Sequence, residues 1–215
     1  MSINSAGDIV GESGVASGSH ATLWLHSGTG PVDLGLLPGS TGALSQARAI
    51  NPSGDVVGVS EYKPGFNYGF LWQRGTMTAL LPLNGAAGSE AIGINGRGDV
   101  VGMSRVGSSD VHAVVWRRGS TTPVDLGGPS TTSQRYANAI NDRGDIVGQM
   151  QIDSLGETHA FVVPQGGTLQ DLNDLGPSAQ GWVIEIALGI NNRGEIVGFG
   201  HQSGQVGNRA VLLVP

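Results

Sequence analysis

Glu90 and Glu185 are the carboxylates whose positions in the sequence best suit acid–base work, with Tyr136 as a third candidate. Arg48 and Arg135 occur at related places, so one mixed-charge pocket can be drawn from these five residues. Paired carboxylates beside cationic and phenolic groups suit a lyase, a hydrolase or a cyclase, provided that their separation is right. Gln46 and Asn138 extend the same set into a binding surface, with Trp182 at its rim. The plainer alternative is that these polar groups solvate the mouth of a water-filled channel. No Gly-x-Ser-x-Gly elbow, Walker loop, His-Glu-x-x-His pair or dinucleotide fingerprint strengthens the enzymatic reading. Ser13, Ser60 and Ser104 recur after Val-Gly-x, but Met150 and Gly200 replace them in the other copies, which points to strand ends rather than to nucleophiles.

The elements that must position these residues are repeats. "INPSGDVVG" at Ile50 has near-copies at Ile3, Ile94, Ile140 and Ile190, spaced by 47, 44, 46 and 50 residues. Periods of this length indicate a solenoid, a propeller or a related array. Each period reads as four short strands joined by glycine-containing turns, with no sustained helical periodicity. The first strand carries small residues at alternate positions, Ala47/Ala49, Ala91/Gly93, Ala137/Ala139 and Ala187/Gly189. Small side chains are needed where neighbouring sheets crowd together, so this strand is placed innermost. The fold expected is all-β: a five-bladed β-propeller of four-stranded antiparallel blades, one repeat domain over residues 1–215. The last copy stops after its third strand, so its blade is expected to be incomplete. A complete five-bladed ring is the expectation, a piece of a longer array the alternative to it, and a β-solenoid the competing architecture.

These residues resemble the HAF family of bacterial repeats, named for a His-Ala-Phe tripeptide. The likeness runs along nearly the whole chain as Ala-x-x-Ile-Asn-x-x-Gly-x-Val-Val-Gly-x-Ser, then His-Ala-Phe-x-Trp, then Asp-Leu-Gly. His159-Ala160-Phe161 matches fully and His20-Ala21-Thr22 and His112-Ala113-Val114 partly, whereas Tyr68-Gly69-Phe70 and Arg209-Ala210-Val211 depart from it. The resemblance implies a repeat fold and a secreted or extracellular protein, with no assigned chemistry. The chain shows no signal peptide, and the sequence leaves a cytoplasmic location open.

The repeated residues themselves read as scaffold. Asn4, Asn51, Asn95, Asn141 and Asn191 take the first position of a type I turn whose fourth position is glycine. The acidic residue after each glycine lacks the dense oxygen ligands of a calcium loop. His20, His112 and His159 begin the third strands, about 10 Å outside the innermost strand at roughly 4.8 Å per strand. They lie too far apart to share a zinc, whose ligands sit within roughly 4 Å of one another. Their expected role is structural, bonding a neighbouring blade, and no metal or other cofactor is expected. Trp24, Trp72 and Trp116 read as blade core, with stacking on sugars as the alternative.

Function is therefore sought where the copies differ. The divergent segments are 61–67, 105–111, 151–158, 201–208 and 176–183, all expected on the face opposite the Asn-x-x-Gly turns. Eleven basic against seventeen acidic residues, with Lys63 the only lysine, give no basic stripe for nucleic acid or an anionic membrane. No run reaches the roughly 18–20 apolar residues of a membrane helix. The absence of cysteine excludes disulfides and thiolate metal sites. The leading expectation is a binding or interaction module with a loop face and an axial pocket for a glycan or a small polar ligand. An enzyme using that pocket is the alternative, and the oligomeric state stays open.

Overall fold

The structure is a computed structural model that describes residues 1–28, 30–85, 88–107, 110–128, 134–153, 155–176, 180–205 and 207–215. The strands alternate hydrogen-bonded neighbours in chain order, so each repeat becomes one antiparallel meander. The first sheet holds β1 (Ser2–Ile3), β2 (Ile9–Val15), β3 (Gly18–Trp24) and β4 (Pro31–Gly35). The second holds β5 (Ser45–Ile50), β6 (Val56–Lys63), β7 (Phe66–Gln73) and β8 (Thr76–Leu80). The third holds β9 (Gly88–Ile94), β10 (Val100–Val106), β11 (Asp110–Trp116) and β12 (Val124–Asp125). The fourth holds β13 (Arg135–Ile140), β14 (Ile146–Gln151), β15 (Thr158–Val163) and β16 (Gln170–Asp171). The fifth has three strands, β17 (Trp182–Ile190), β18 (Ile196–Gln202) and β19 (Arg209–Leu213). Helix among the described residues is confined to two single turns, Leu83–Gly85 and Leu172–Leu175.

The sheets pack face to face in chain order. The first strands of consecutive sheets touch one another, whereas no fourth strand packs comparably on the next fourth strand, so the sheets fan outward from the first strands. This puts the alanine-rich strand on the crowded inner side, and Ala47, Ala91, Ala137 and Ala187 are buried there. Between the sheets lie four apolar layers, for example Val10, Leu23, Ile50, Val56 and Phe70 between the first and second. Trp116 is fully buried in such a layer and donates its indole N–H to the Leu81 carbonyl at 2.9 Å, while Trp24 and Trp72 are half-buried.

Each complete inner strand bulges after its alanine, and the second strand answers with the glycine of Val-Val-Gly. The register of β5 on β6 shifts between Ala47 and Ala49, and that of β13 on β14 between Ala137 and Ala139. A bulge bends the strand toward its partner. A Cβ on Gly58 or Gly102 would lie 2.0 Å from the Gln46 or Glu90 carbonyl oxygen, and one on Gly148 or Gly198 would lie 1.9 Å from that of Tyr136 or Ile186. Only glycine fits there.

The corner after each inner strand is closed as its sequence indicates. The glycine N–H bonds the asparagine carbonyl three residues back in all five copies, for instance Gly54 to Asn51 at 3.0 Å, and Gly54 takes a φ of 82°. The asparagine does more than begin the turn. Asn51 accepts from the Ser53 and Asp55 N–H groups and donates from Nδ2 to Asp55 and to the Asn95 carbonyl of the next sheet. The same cross-sheet bond runs from Asn4 to Asn51 at 3.3 Å, from Asn95 to Asn141 at 3.0 Å and from Asn141 to Asn191 at 3.0 Å. This ladder ties the sheets together along the turn face.

Among the described residues the sheets do not close into the expected ring. No packing of the kind that joins neighbouring sheets joins the fifth to the first among them. Both ends lack part of the repeating surface: β1 has only two residues, and the fifth sheet has three strands. The cost is visible as exposed apolar groups, Ile3 at one end and Leu188, Val197, Phe199 and Leu212 at the other. Asn191 bonds its own Glu195, with no further sheet to reach, and is exposed where Asn51, Asn95 and Asn141 are buried.

Candidate functional site

Because each sheet is a meander, the Asn-x-x-Gly corners and the third-to-fourth strand turns lie at one end of the array. The second-to-third loops and the sheet-to-sheet connections lie at the other. The starts of the inner strands, where the copies differ, open at this second end. Of the divergent segments that frame it, residues 108–109, 154, 177–179 and 206 lie outside the described residues.

The eight candidate residues do not assemble into one pocket. Gln46 donates to Glu12 at 3.1 Å, linking the first two sheets. Arg48 sits in the bulge of β5 and reaches across to Glu90 of the third sheet at 3.1 Å, with Arg105 4.0 Å from the other carboxylate oxygen. Asn138 holds the corresponding bulge position in β13 and donates to the Ala187 carbonyl of the fifth sheet at 2.9 Å. The bulge residue thus serves twice as a clamp between sheets. Tyr136 donates to Gln134 at 2.6 Å and lines a recess of about 230 Å³ with Gln149, Gln151, Gly156 and Thr158.

Arg135, Glu185 and Trp182 are elsewhere. Arg135 pairs with Met150 as Ser45 pairs with Ser60 and Ser89 with Ser104, so its side chain belongs to the sheet-to-sheet interface. It is 4% exposed, and its Cδ would meet a Cβ on Gly128 at 2.9 Å. Glu185 lies in an additional bulge between Ile184 and Ile186 and is held by His201 at 2.9 Å and Asn208 at 2.5 Å. Its companions are therefore those two residues, and Glu90 has Arg48 and Arg105. Trp182 lines a different cavity, an apolar groove of about 680 Å³ with Val162, Leu172, Ile184, Ile196 and Leu213.

The repeated histidines require a correction. They do not reach a neighbouring sheet: each bonds the aspartate on the fourth strand of its own sheet through Nδ1. His20 meets Asp33 at 2.9 Å, His112 meets Asp125 at 2.6 Å and His159 meets Asp171 at 2.5 Å. The His-Ala-Phe and Asp-Leu-Gly signatures are thus two halves of one strand-to-strand contact. Among the described residues no group of three or more His, Cys, Asp or Glu could hold a metal ion, and no helix is long and apolar enough to cross a membrane.

Four carboxylates are held below their ordinary range, and all four serve the scaffold. At Asp33 burial opposes ionisation but is outweighed by the bond from His20 and the Gly35 N–H. At Asp142 the Asn192 amide and the Gly96 N–H dominate. At Asp145 burial is again outweighed, by Asn141, the Gln165 N–H and Arg143, and at Glu195 Arg193 and Asn191 lower the value. A carboxylate with a depressed folded-state pKa stabilises the fold above its unfolded pKa and loses that contribution as the pH falls through the folded one. The contribution of these four carboxylates should therefore be lost progressively below about pH 4, the unfolded carboxylate range, and the thermal midpoint should fall between about pH 4 and pH 3. A midpoint unchanged down to pH 3 would contradict these assignments.

No family model matches the chain, and no curated protein matches it. Among solved structures it is similar to a protein from Agrobacterium tumefaciens assigned as TolB, with a TM-score of 0.57 and 10% identity over 96% of this chain and 77% of that one. At that identity the likeness is one of fold. The chain is all-β and propeller-like, built of antiparallel meander sheets and similar in fold to that TolB.

Proposed function

We propose that the chain is a five-bladed, propeller-type binding or interaction module of HAF-repeat type that presents its loop face to a glycan or small polar ligand. The observation that carries this reading is the division of labour between the two ends of the inner strands. At one end every copy spends its asparagine, glycine and acidic residue on the same turn, and the first four copies add the same cross-sheet bond. At the other end the copies present different polar groups on the same rigid sheets, the usual arrangement of binding loops on a scaffold. The Gln46–Glu12 and Arg48–Glu90 pairs present polar groups there, and Tyr136 offers a phenol beside a recess.

A binding role also fits the carboxylates. Glu90 is committed to two arginines, and Glu185 to His201 and Asn208. General acid–base catalysis at a glycosidic bond instead needs two carboxyl groups within about 5–10 Å across one bond. An extracellular location follows from the HAF resemblance and is proposed with it.

Titration calorimetry with a panel of neutral and acidic oligosaccharides tests the reading. Saturable binding without turnover, weakened about tenfold by Glu90→Ala through loss of charge-assisted bonds, is the expected outcome. Release of product from any panel member, abolished by Glu90→Ala or Glu185→Ala, would instead establish an enzyme. No heat with any member would remove the glycan.

A further inference from the structure

We propose that the recess beside Tyr136 is a subsite for one uncharged sugar ring, the terminal residue of a neutral glycan. The assignment rests on the loop face being a binding surface and names the ligand class that this part of it selects. The recess holds about 230 Å³ and is lined by Gln134, Tyr136, Gln149, Gln151, Gly156 and Thr158. Pockets for drug-sized ligands run to roughly 300–1,000 Å³, so this one suits a single ring rather than a chain.

Strand alternation explains why a polar hollow forms there. β14 and β15 pair without a register shift, so Val147, Gln149 and Gln151 share one side of the fourth sheet with Thr158, Ala160 and Val162. Val147, Ala160 and Val162 pack in the apolar layer against Ile184 and Ala187 of the fifth sheet. Toward the loop end that layer gives way to amides and a hydroxyl. Tyr136 stands opposite Gln149, and Thr158 opposite Gln151, which brings four polar side chains onto one surface.

The neighbouring copies are built differently at the same place. At the four matching positions the second sheet has Gln46, Val59, Glu61 and Asn67, and the third has Glu90, Met103, Arg105 and Val111. Of these three sheets only the fourth has an uncharged hydrogen-bonding group at every one. The charges nearest in sequence are engaged elsewhere. Glu157 approaches His159, on the opposite side of β15 from Thr158, and the Asp153 carboxylate accepts from the Leu155 and Glu157 N–H groups. An anion entering the recess would meet no counter-charge and a cation no carboxylate, and burying an unpaired charge is costly.

Sugar hydroxyls fit this lining because they both donate and accept, as do amides, a phenol and the threonine hydroxyl. Tyr136 donates to Gln134 at 2.6 Å, which fixes the ring and leaves the phenolic oxygen able to accept. Gln151 is anchored by its amide on the Asp153 carbonyl at 2.7 Å. Gln149 is half-buried, and its side-chain amide has no hydrogen-bond partner among the described residues, so it presents both a donor and an acceptor.

The test is an NMR titration of the intact, isotopically labelled chain with methyl glycosides of neutral hexoses and with the matching uronic acids. The expected result is saturable shifts of the Gln149 side-chain amide and of the Gln151 and Thr158 backbone with at least one neutral glycoside, and at least tenfold weaker binding of its uronate. Gln149→Ala should weaken binding about tenfold and Tyr136→Phe, which keeps the ring, about fivefold, as expected for losing one or two hydrogen bonds. The dispersion of each variant's spectrum reports its fold in the same experiment. Equal affinity for the uronate, shifts confined to other loops, or binding undiminished in both variants would overturn the recess and leave the loop face standing as a binding surface. No shift with any glycoside or with the oligosaccharide panel would overturn both.

Discussion

Gly148→Ala should lower the stability of the fold by about 3 kcal/mol, the upper part of the range for forcing atoms into a packed interior. The added Cβ would lie 1.9 Å from the Tyr136 carbonyl oxygen and 2.7 Å from Phe161 Cζ, so both the bulged inner strand and the aromatic ring would have to move. Moving the strand breaks the register that places Asn138 against the fifth sheet, which couples the local clash to an interface. Gly14→Ala is the control, because nothing lies within 4 Å of a Cβ at that strand position. Denaturant unfolding of the two variants should separate them clearly, with Gly14→Ala close to the parent protein. Equal stability of both would show that the bulge does not demand the Val-Val-Gly glycine.

Asn51→Ala should cost about 2–4 kcal/mol, because it removes one buried and three part-buried hydrogen bonds at once. The Ser53 and Asp55 N–H groups lose their acceptor, and Asp55 and the Asn95 carbonyl lose a donor. Asn191→Ala removes the same turn bonds from an exposed corner that touches no further sheet, where water replaces the lost partners. It should cost about 1 kcal/mol, the ordinary value for a solvent-accessible hydrogen-bonding group. The difference between the two variants measures the cross-sheet ladder. If Asn191→Ala were as damaging as Asn51→Ala, the asparagine would be a turn former and nothing more.

Much of this architecture is legible in the residues. The repeat period, four strands per copy, the inner position of the Ala-x-Ala strand and the missing fourth strand of the last copy all follow from pattern, because each depends on local periodicity and side-chain size. The candidate site was less legible, for reasons of alternation and of bulges. Arg135 looks like a companion of Tyr136 at the axis, yet adjacent residues of a strand face opposite sides, so Arg135 takes the interface position of Ser45 and Ser89 and is buried. One extra residue in a bulge reverses which side the residues beyond it face. Glu185 looks like a counterpart of those residues, yet a second bulge in β17 turns it toward His201. The longer spacing of the last repeat, 50 residues against 44 to 47, was the available sign of that insertion.

The histidines and asparagines carried more information than their separate positions disclosed. Each histidine lies 12 or 13 residues before the aspartate it bonds, a distance that spans a strand, a turn and the start of the next strand. The asparagine bonds run 44 to 50 residues along the chain, one repeat apart, which no local pattern displays.

The central claim is that the agreeing end of the repeats is scaffold and the disagreeing end binds. Amide hydrogen exchange, with and without the tightest-binding member of the oligosaccharide panel, tests it most directly. The account predicts new protection in segments 61–67, 105–111 and 151–158 and at the starts of β5, β9 and β13, with the Asn-x-x-Gly corners unchanged. Protection concentrated at the corners around Asn51, Asn95 and Asn141 would contradict it.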